Sequence, residues 1–439
     1  MKRQVSFFLL VALTAGLLAA CGTSTPAAAP TAAPAAPAAD APTAAAAPAA
    51  DAPTAAAAPA AGGDAATIKI VSSLPRTGSS KGQTDTIVNA INMRLEQDKF
   101  QACNGQFTLK YDDLDDATAA AGKWDPTQEA NNANKAAADA DVMAYIGTFN
   151  SGAAQVSIPI LNAAGLVMIS PANTYPGLTK PDKGAPGEPD KFYPNGKRNY
   201  TRVVPADDLQ GAAASNWAKE LGVKSVYILH DTETYGKGIA DVFRTSSKTN
   251  GFEEKGYEGI DKKAQDYKAL ATKIKAANPD LVYFGGITQN NGGLVLKDLR
   301  AADYTGKFMG PDGIYEDAFL EAAGDAAEGT YLTFGGVPAD KLTGKGKEWY
   351  DAYKAKFSSE PEVYAVYGYE SVNVVLNAIN QVCKKDRAAI LDAVFATKDF
   401  DGVLGKWSFD ANGDTSLTGM SGVQVKGGKF DTANTTVLK

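Results

Sequence analysis

The sequence predicts an α/β fold, two doubly wound lobes on mainly parallel sheets, behind an N-terminal segment without a core of its own. Three observations carry this. From Thr67 onward, short β-rich runs alternate with amphipathic helical stretches, the rhythm of parallel strands joined by right-handed crossovers. The 376 residues left after setting aside the first 63 of 439 exceed one simple core and indicate two. Between Lys180 and Asn199 the rhythm breaks at Pro181, Gly184, Pro186, Gly187, Pro189, Pro194 and Gly196, a surface loop by composition.

The N-terminal segment reads as an export signal and a tether. Lys2 and Arg3 precede an apolar run from Val5 to Ala20, too short for the roughly 20 residues a membrane span needs. The run ends Leu18-Ala19-Ala20-Cys21, which resembles the lipobox of bacterial lipoproteins and implies a signal peptide over 1–20 with lipidation at Cys21. Residues 21–63 form the tether: Ala, Pro, Thr and Asp dominate it, and an 11-residue unit, Ala39–Ala49, repeats identically as Ala50–Ala60. Such a segment lacks the apolar bulk for a core. Its prolines extend it toward polyproline II, giving a reach on the order of 100 Å at about 3.1 Å per residue.

In the folded part, strands are predicted at Ile68–Ser72, Phe107–Tyr111, Val142–Ile146 and Leu166–Ser170, with helices near 83–99, 127–140 and 152–164. Pro159 falls inside the third helix and is expected to kink or shorten it. The pattern resumes with strands at Ser225–Leu229, Asp280–Phe284 and Lys307–Gly310, and helices near 235–250, 264–277 and 289–302. Helices near 346–357, 364–381 and 386–396 follow, then Trp407-Ser-Phe409 and the turn Asp410–Asp414. That turn partly mimics a calcium loop, but Thr415 stands where glycine is needed and Ser421 where a bidentate glutamate is needed, so a hairpin turn is the better reading.

Composition narrows the function. The net charge of −7 becomes −9 once Lys2 and Arg3 are removed, which does not favour nucleic acid or an anionic surface as partner. Cys103 and Cys383 remain as an even pair in an exported chain; we expect a disulfide, against two unrelated small apolar side chains. His230 is the single histidine, and no metal site or cofactor is expected. The acidic run Asp112, Asp113, Asp115 and Asp116 reads as a polar loop after a strand in preference to a cation site.

In open α/β sheets, ligands gather beyond the carboxyl ends of the strands. The strand ending at Ile146 empties into Gly147-Thr-Phe-Asn-Ser-Gly152 just before a helix, where unpaired N–H groups suit a carboxylate; an ordinary N-cap by Asn150 or Ser151 is the alternative. The next strand empties into Ser170-Pro-Ala-Asn-Thr-Tyr-Pro-Gly-Leu178 on the same sheet edge.

Tyr111-Asp-Asp113, Ile146-Gly147 with Ser151, Ile169-Ser-Pro171 with Thr174, His230-Asp231 with Tyr235-Gly236, Tyr283-Phe-Gly-Gly286 and Phe308-Met-Gly-Pro311 follow one another in order. Together they resemble the branched-chain amino-acid-binding proteins of ABC importers, from Thr67 to the C-terminus. The resemblance implies the type I periplasmic-binding-protein fold, with one lobe of 64–204 and 333–406 and another of 205–332 and 407–439. It implies three hinge crossings, near Val203–Asp207, Thr330–Phe334 and Lys406–Phe409, and a ligand held between the lobes.

It further implies that Ser151 takes the ligand carboxylate, that Thr174 meets both ends, its N–H facing the carboxylate while its hydroxyl and the Asn173 carbonyl accept from the ammonium, and that Tyr235 closes from the second lobe. The acidic partner of the ammonium falls at Asp312, where well-known members carry glutamate; a solvent-facing turn aspartate is the alternative. Lys81 falls near the place of an aromatic that covers the ligand, and also fits a solvated rim lysine. Phe149, Tyr175 and Gln289 are candidate pocket walls, and both aromatics also fit packing roles.

The expected function is a lipid-anchored, monomeric, extracytoplasmic receptor that hands a small amino acid to permease and ATPase subunits. A sensor of amides or amino acids on the same fold is an alternative. An exported enzyme is a weaker one, since no Gly-x-Ser-x-Gly, His-Glu-x-x-His or phosphate-loop motif is present.

Overall fold

The computed structural model describes residues 65–438; the signal, Cys21 and the tether lie outside them. The first sheet is built from β1 (Ala66–Leu74), β2 (Gln101–Ala102), β3 (Phe107–Asp115), β6 (Val142–Gly147), β7 (Val167–Ser170) and β8 (Tyr200–Arg202), in the order β2-β3-β1-β6-β7-β8. Only β2 runs antiparallel to its neighbour. Between these strands lie α1 (Lys81–Gln97), the small hairpin β4 (Ala117–Thr118) and β5 (Lys123–Trp124), α2 (Pro126–Ala138) and α3 (Ser151–Ala163).

The second sheet follows with α4 (Asp207–Glu220), β9 (Ser225–His230), α5 (Thr234–Thr249), β10 (Glu253–Gly259), α6 (Lys268–Ala277), β11 (Leu281–Gly285), α7 (Gly292–Ala301), β12 (Lys307–Gly310), α8 (Asp317–Ala323) and β13 (Tyr331–Gly335). The chain then returns to the first lobe as α9 (Lys345–Phe357), α10 (Ala365–Val382), α11 (Arg387–Phe395) and the hairpin β14 (Phe400–Gly402) and β15 (Gly405–Trp407). It ends in β16 (Met420–Lys426), β17 (Lys429–Phe430) and β18 (Thr436–Leu438), which complete the order β10-β9-β11-β12-β13-β16-β17 with β18 paired to β16.

The central strands of both sheets, such as β6, β9 and β11, are buried on two faces and so read as continuous apolar runs. In β6, Met143, Ala144 and Ile146 join a core with Ile87 and Ile91 of α1 and Val375 of α10, whereas Val142 and Tyr145 face Ala133 of α2 and Ile158 of α3. In β9, Val226 and Ile228 pack on Trp217 and Phe243 of α4 and α5, and Tyr227 and Leu229 on the face of α6 and α7. The alternation in β9 is the period-2 pattern of a pleated strand. No described helix is long and apolar enough to cross a membrane.

Three differences from the sequence reading have physical causes. The helix α3 continues through Pro159 to Ala163; the missing N–H forfeits one bond to the preceding turn, while Ile158 and Leu161 on either side are fully buried. The second crossing, expected at Thr330–Phe334, comes after Gly335, because β13 pairs antiparallel with β16 from Tyr331 to Gly335. The third, expected at Lys406–Phe409, comes after the Asp410–Asp414 turn. Trp407 is held to the first lobe by its indole N–H on Glu370 Oε1 of α10 at 2.7 Å, and Asp414 by Arg202 of β8 at 2.6 Å.

Cys103, beside β2, and Cys383, at the end of α10, form a disulfide with Cα atoms 5.6 Å apart. It joins two parts of the first lobe that lie 280 residues apart in sequence.

Candidate functional site

The β6 strand ends at Gly147, and α3 opens at Ser151, which is buried. Asn150 stands at the N-cap in an extended conformation, but its side chain makes no capping bond. Helix geometry leaves the first-turn N–H groups of Ser151 and Gly152 without intrahelical acceptors. Ser151 Oγ accepts from the Tyr175 N–H at 3.3 Å, which ties this turn to the loop after β7.

That loop is fixed from below. Ser170 Oγ accepts from the N–H groups of Ala172 at 3.0 Å and Asn173 at 2.7 Å. The Asn173 side-chain amide donates to the Phe149 carbonyl at 3.0 Å and accepts from the Tyr200 hydroxyl at 3.2 Å. Arg202 donates to the carbonyls of Asn173 at 3.3 Å and Tyr175 at 2.8 Å. Its guanidinium is completely buried, and Asp414 supplies the compensating charge that burial requires. A loop of unpaired polar backbone thus becomes a rigid shelf.

Asp312 is buried in the turn after β12. Its Oδ1 accepts from Gln210 Nε2 at 2.6 Å and from the Tyr235 hydroxyl at 2.9 Å; its Oδ2 accepts from the Tyr364 hydroxyl. Gln210 is steadied by the Thr333 carbonyl at 3.1 Å, and Tyr235 accepts from the Gly313 N–H at 3.0 Å. Burial pushes the Asp312 carboxyl above its ordinary pKa, against the pull of these hydrogen bonds.

Asp207, the first residue of α4, donates its N–H to the Thr174 carbonyl at 2.9 Å. Its carboxyl is fully buried beside the Thr174 hydroxyl, but neither group completes a hydrogen bond. Burial, and then the charge of Asp312, hold it well above the usual carboxylate range.

The other expected site residues are distributed unevenly. Phe149 sets its ring edge-on to Tyr364, centroids 5.7 Å apart, and so stands near Asp312. Tyr175 turns elsewhere: its hydroxyl donates to Glu188 Oε2 at 2.8 Å and its ring lies against Gly238 of α5. A Cβ on Gly238 would fall 2.6 Å from that ring, so the close approach requires glycine. Gln289 Nε2 donates to Glu316 at 3.0 Å, leaving its buried Oε1 open. Lys81 opens α1 with a largely exposed side chain paired to Asp85, outside the group around Asp312.

Tyr364, Gln210 and Asp207 escaped the sequence reading. Tyr364 sits in the first lobe and meets Asp312 only because the chain returns there after β13. Asp207 and Gln210 are spaced i, i+3 on α4, one face of a helix, and this spacing was the available signal. His230 serves structure: its Nδ1 accepts from the Thr232 N–H at 3.1 Å and its ring packs on Tyr257. Among the described residues, no cluster of three or more His, Cys, Asp or Glu side chains is arranged to hold a metal.

One wall therefore offers N–H groups and hydroxyls to an anion, and the other a buried carboxylate to a cation. The periplasmic binding protein family matches residues 67–429. The chain belongs to that family, in the group of the Leu/Ile/Val-binding proteins. This binding protein is 32% identical over 358 residues to Leu/Ile/Val-binding protein homolog 2 of Brucella abortus, covering 80% of this chain and 89% of the relative. The solved leucine-binding protein LivK of Thermotoga maritima superposes with a TM-score of 0.73 at 26% identity, covering 83% of this chain and 97% of that one. The branched-chain amino acid transporter substrate-binding protein LivJ of Streptococcus pneumoniae, solved with isoleucine, gives 0.72 at 26% identity, covering 84% and 99%. The family is one of extracytoplasmic solute-binding receptors.

Proposed function

We propose that this protein is the lipid-anchored solute-binding receptor of an ABC importer, capturing a small amino acid of branched-chain type or related structure between its lobes. The observation that carries this is the pairing of opposites across the cleft: Ser151 and the α3 N-terminus on one wall, the buried Asp312 on the other. In this reading Ser151 holds the ligand carboxylate, Thr174 and the Asn173 carbonyl share the ammonium, Asp312 neutralises it and Tyr235 closes over it. The two lobes, exchanging chain near Val203–Asp207, after Gly335 and after the Asp410–Asp414 turn, move about these three crossings. Cys21 holds the body at the envelope, where permease and ATPase subunits receive the cargo.

Closure rests on contacts that only the closed form makes. Lys123 of the β4–β5 hairpin donates to Asn290 at 2.7 Å and pairs with Glu233 at 3.3 Å, and Thr234 donates to Gln155 at 3.0 Å. Micromolar affinity corresponds to about −8 kcal/mol, within reach of a buried zwitterion with several charge-assisted bonds. Titration calorimetry with leucine, isoleucine, valine, alanine and uncharged amides tests the reading. Stoichiometric binding of an α-amino acid without turnover is expected; preference for an uncharged amide, or chemical conversion of the ligand, overturns it.

A further inference from the structure

Asp207 poses a problem that the amino-acid-binding reading does not resolve. Its carboxyl is fully buried and both oxygens lack partners. An ionised carboxylate so placed costs several kcal/mol unless a cation or donors meet it. It is also in the right place to matter. Its N–H holds the Thr174 carbonyl, its carboxyl adjoins the Thr174 hydroxyl, and one turn along α4 Gln210 holds Asp312 at 2.6 Å. Around it, the Thr174 hydroxyl, Gln210 Oε1 and the Tyr283 hydroxyl are buried and equally without partners.

The groups facing Asp207 come from every neighbouring element. Asp312 faces it from the turn after β12, and Asp208 from α4 itself, the latter paired with Lys180 at 2.7 Å. The Arg202 guanidinium of β8 also acts on it, and its charge is matched by Asp414. The phenols of Tyr235, Tyr283 and Tyr364 approach from α5, β11 and the start of α10. Two carboxyls therefore share a dry space in which one positive charge is already spoken for.

We infer that capture of an ammonium-bearing ligand expels one proton from the Asp207–Asp312 carboxyl pair, so that this receptor takes up its ligand in exchange for a proton. On this proposal the pair without ligand holds one proton and one negative charge, the proton lying on Asp207, whose oxygens complete no hydrogen bond, and the charge on Asp312, which accepts from Gln210, Tyr235 and Tyr364. A bound ammonium beside Thr174 supplies the missing positive charge, and the Asp207 O–H proton passes to solvent. The ligand keeps its own three N–H protons. The pair gains one negative charge, opposite the ammonium. The raised pKa of both carboxyls agrees with this starting state. Asp207 is thus a positioning and counter-charge residue acting through Thr174 and Asp312.

The inference rests on the proposed reading of the site, and its test separates the two. Wild-type protein is titrated calorimetrically with leucine, isoleucine and valine in phosphate and in Tris between pH 5.5 and 8, the buffer difference counting the protons released. Up to one proton per ligand is expected, with affinity rising up to tenfold per pH unit in the lower part of the range. Asp207→Asn, which keeps the size of the side chain and the backbone N–H to Thr174, should abolish the release and flatten the profile. Binding by wild type without proton release, or release that persists in Asp207→Asn, overturns this inference and leaves the functional reading standing. Failure of wild type to bind any α-amino acid, alanine included, overturns both. The wild-type proton count needs no variant to fold.

Discussion

Tyr364, from the first lobe, donates its hydroxyl to Asp312 in the second, placing a hydrogen bond across the cleft at the residue proposed to hold the ligand ammonium. The contact is supported on both sides. Phe149 and Phe334 set their rings edge-on to Tyr364, each with centroids 5.7 Å away, and Gln210 fixes Asp312 from behind. Closure and ligand recognition therefore share one carboxylate.

Asp312→Ala is expected to weaken binding of an α-amino acid at least tenfold, about 1.4 kcal/mol. Calorimetry reads this directly; unchanged affinity would remove Asp312 from the ammonium site.

Tyr364→Phe keeps the ring and its aromatic neighbours and deletes only the O–H. Losing one hydrogen bond to a charged group is worth about 1.5–3 kcal/mol where the site stays dry. We expect ligand affinity to fall roughly tenfold while the melting temperature changes little, and small-angle scattering to show a wider unliganded form. An unchanged Kd means that the bond does not favour the closed form.

Asp414→Ala leaves the buried Arg202 guanidinium without its counter-charge. Breaking such a pair costs about 3–5 kcal/mol, and the Asn173–Tyr175 shelf loses its support. Denaturant unfolding should show the loss of stability, and binding should weaken with it. A variant as stable as wild type would show the pair to be dispensable.

Several buried acids hold protons more tightly when folded than when unfolded. Burial raises Glu129 to about 7, Glu316 to about 7 and Glu362 to about 8. Their contribution is complete below the unfolded carboxyl range near pH 4 and is lost as pH rises through these values. The melting temperature should therefore fall between pH 5.5 and 8.5. Glu129→Gln, at a side chain that meets Ser73 at 2.6 Å and Tyr145 at 2.9 Å, should flatten part of the slope. A melting temperature that rises across this range contradicts the prediction.

The sequence carried the strands well because parallel strands buried on both faces appear as unbroken apolar runs, such as Val142–Gly147 and Leu281–Gly285. It concealed the β4–β5 hairpin, whose Ala-rich Ala117–Trp124 stretch has no alternating pattern and is ordered by Asp125 N–H bonding to the Asp116 carbonyl. Ser151, Thr174 and Asp312 could be singled out as candidates because each lies in a loop that follows a strand. Lys81 was named because it falls near the place of an aromatic that covers the ligand; in the structure it opens helix α1 and pairs its ammonium with Asp85. Tyr364 was hidden because its role depends on the chain returning to the first lobe, which no local pattern reveals.

The bond between Cys103 and Cys383 also orders events in time. A chain made N-terminus first presents Cys103 long before Cys383, and the whole parallel part of the second sheet lies between them. The first lobe cannot be sealed until both outgoing and returning segments have arrived and α10 has packed against α1. Oxidation of this pair is thus a marker of a completed first lobe: a chain whose returning segment has not docked carries a free thiol at Cys103, and a thiol-reactive label counts the unfinished molecules.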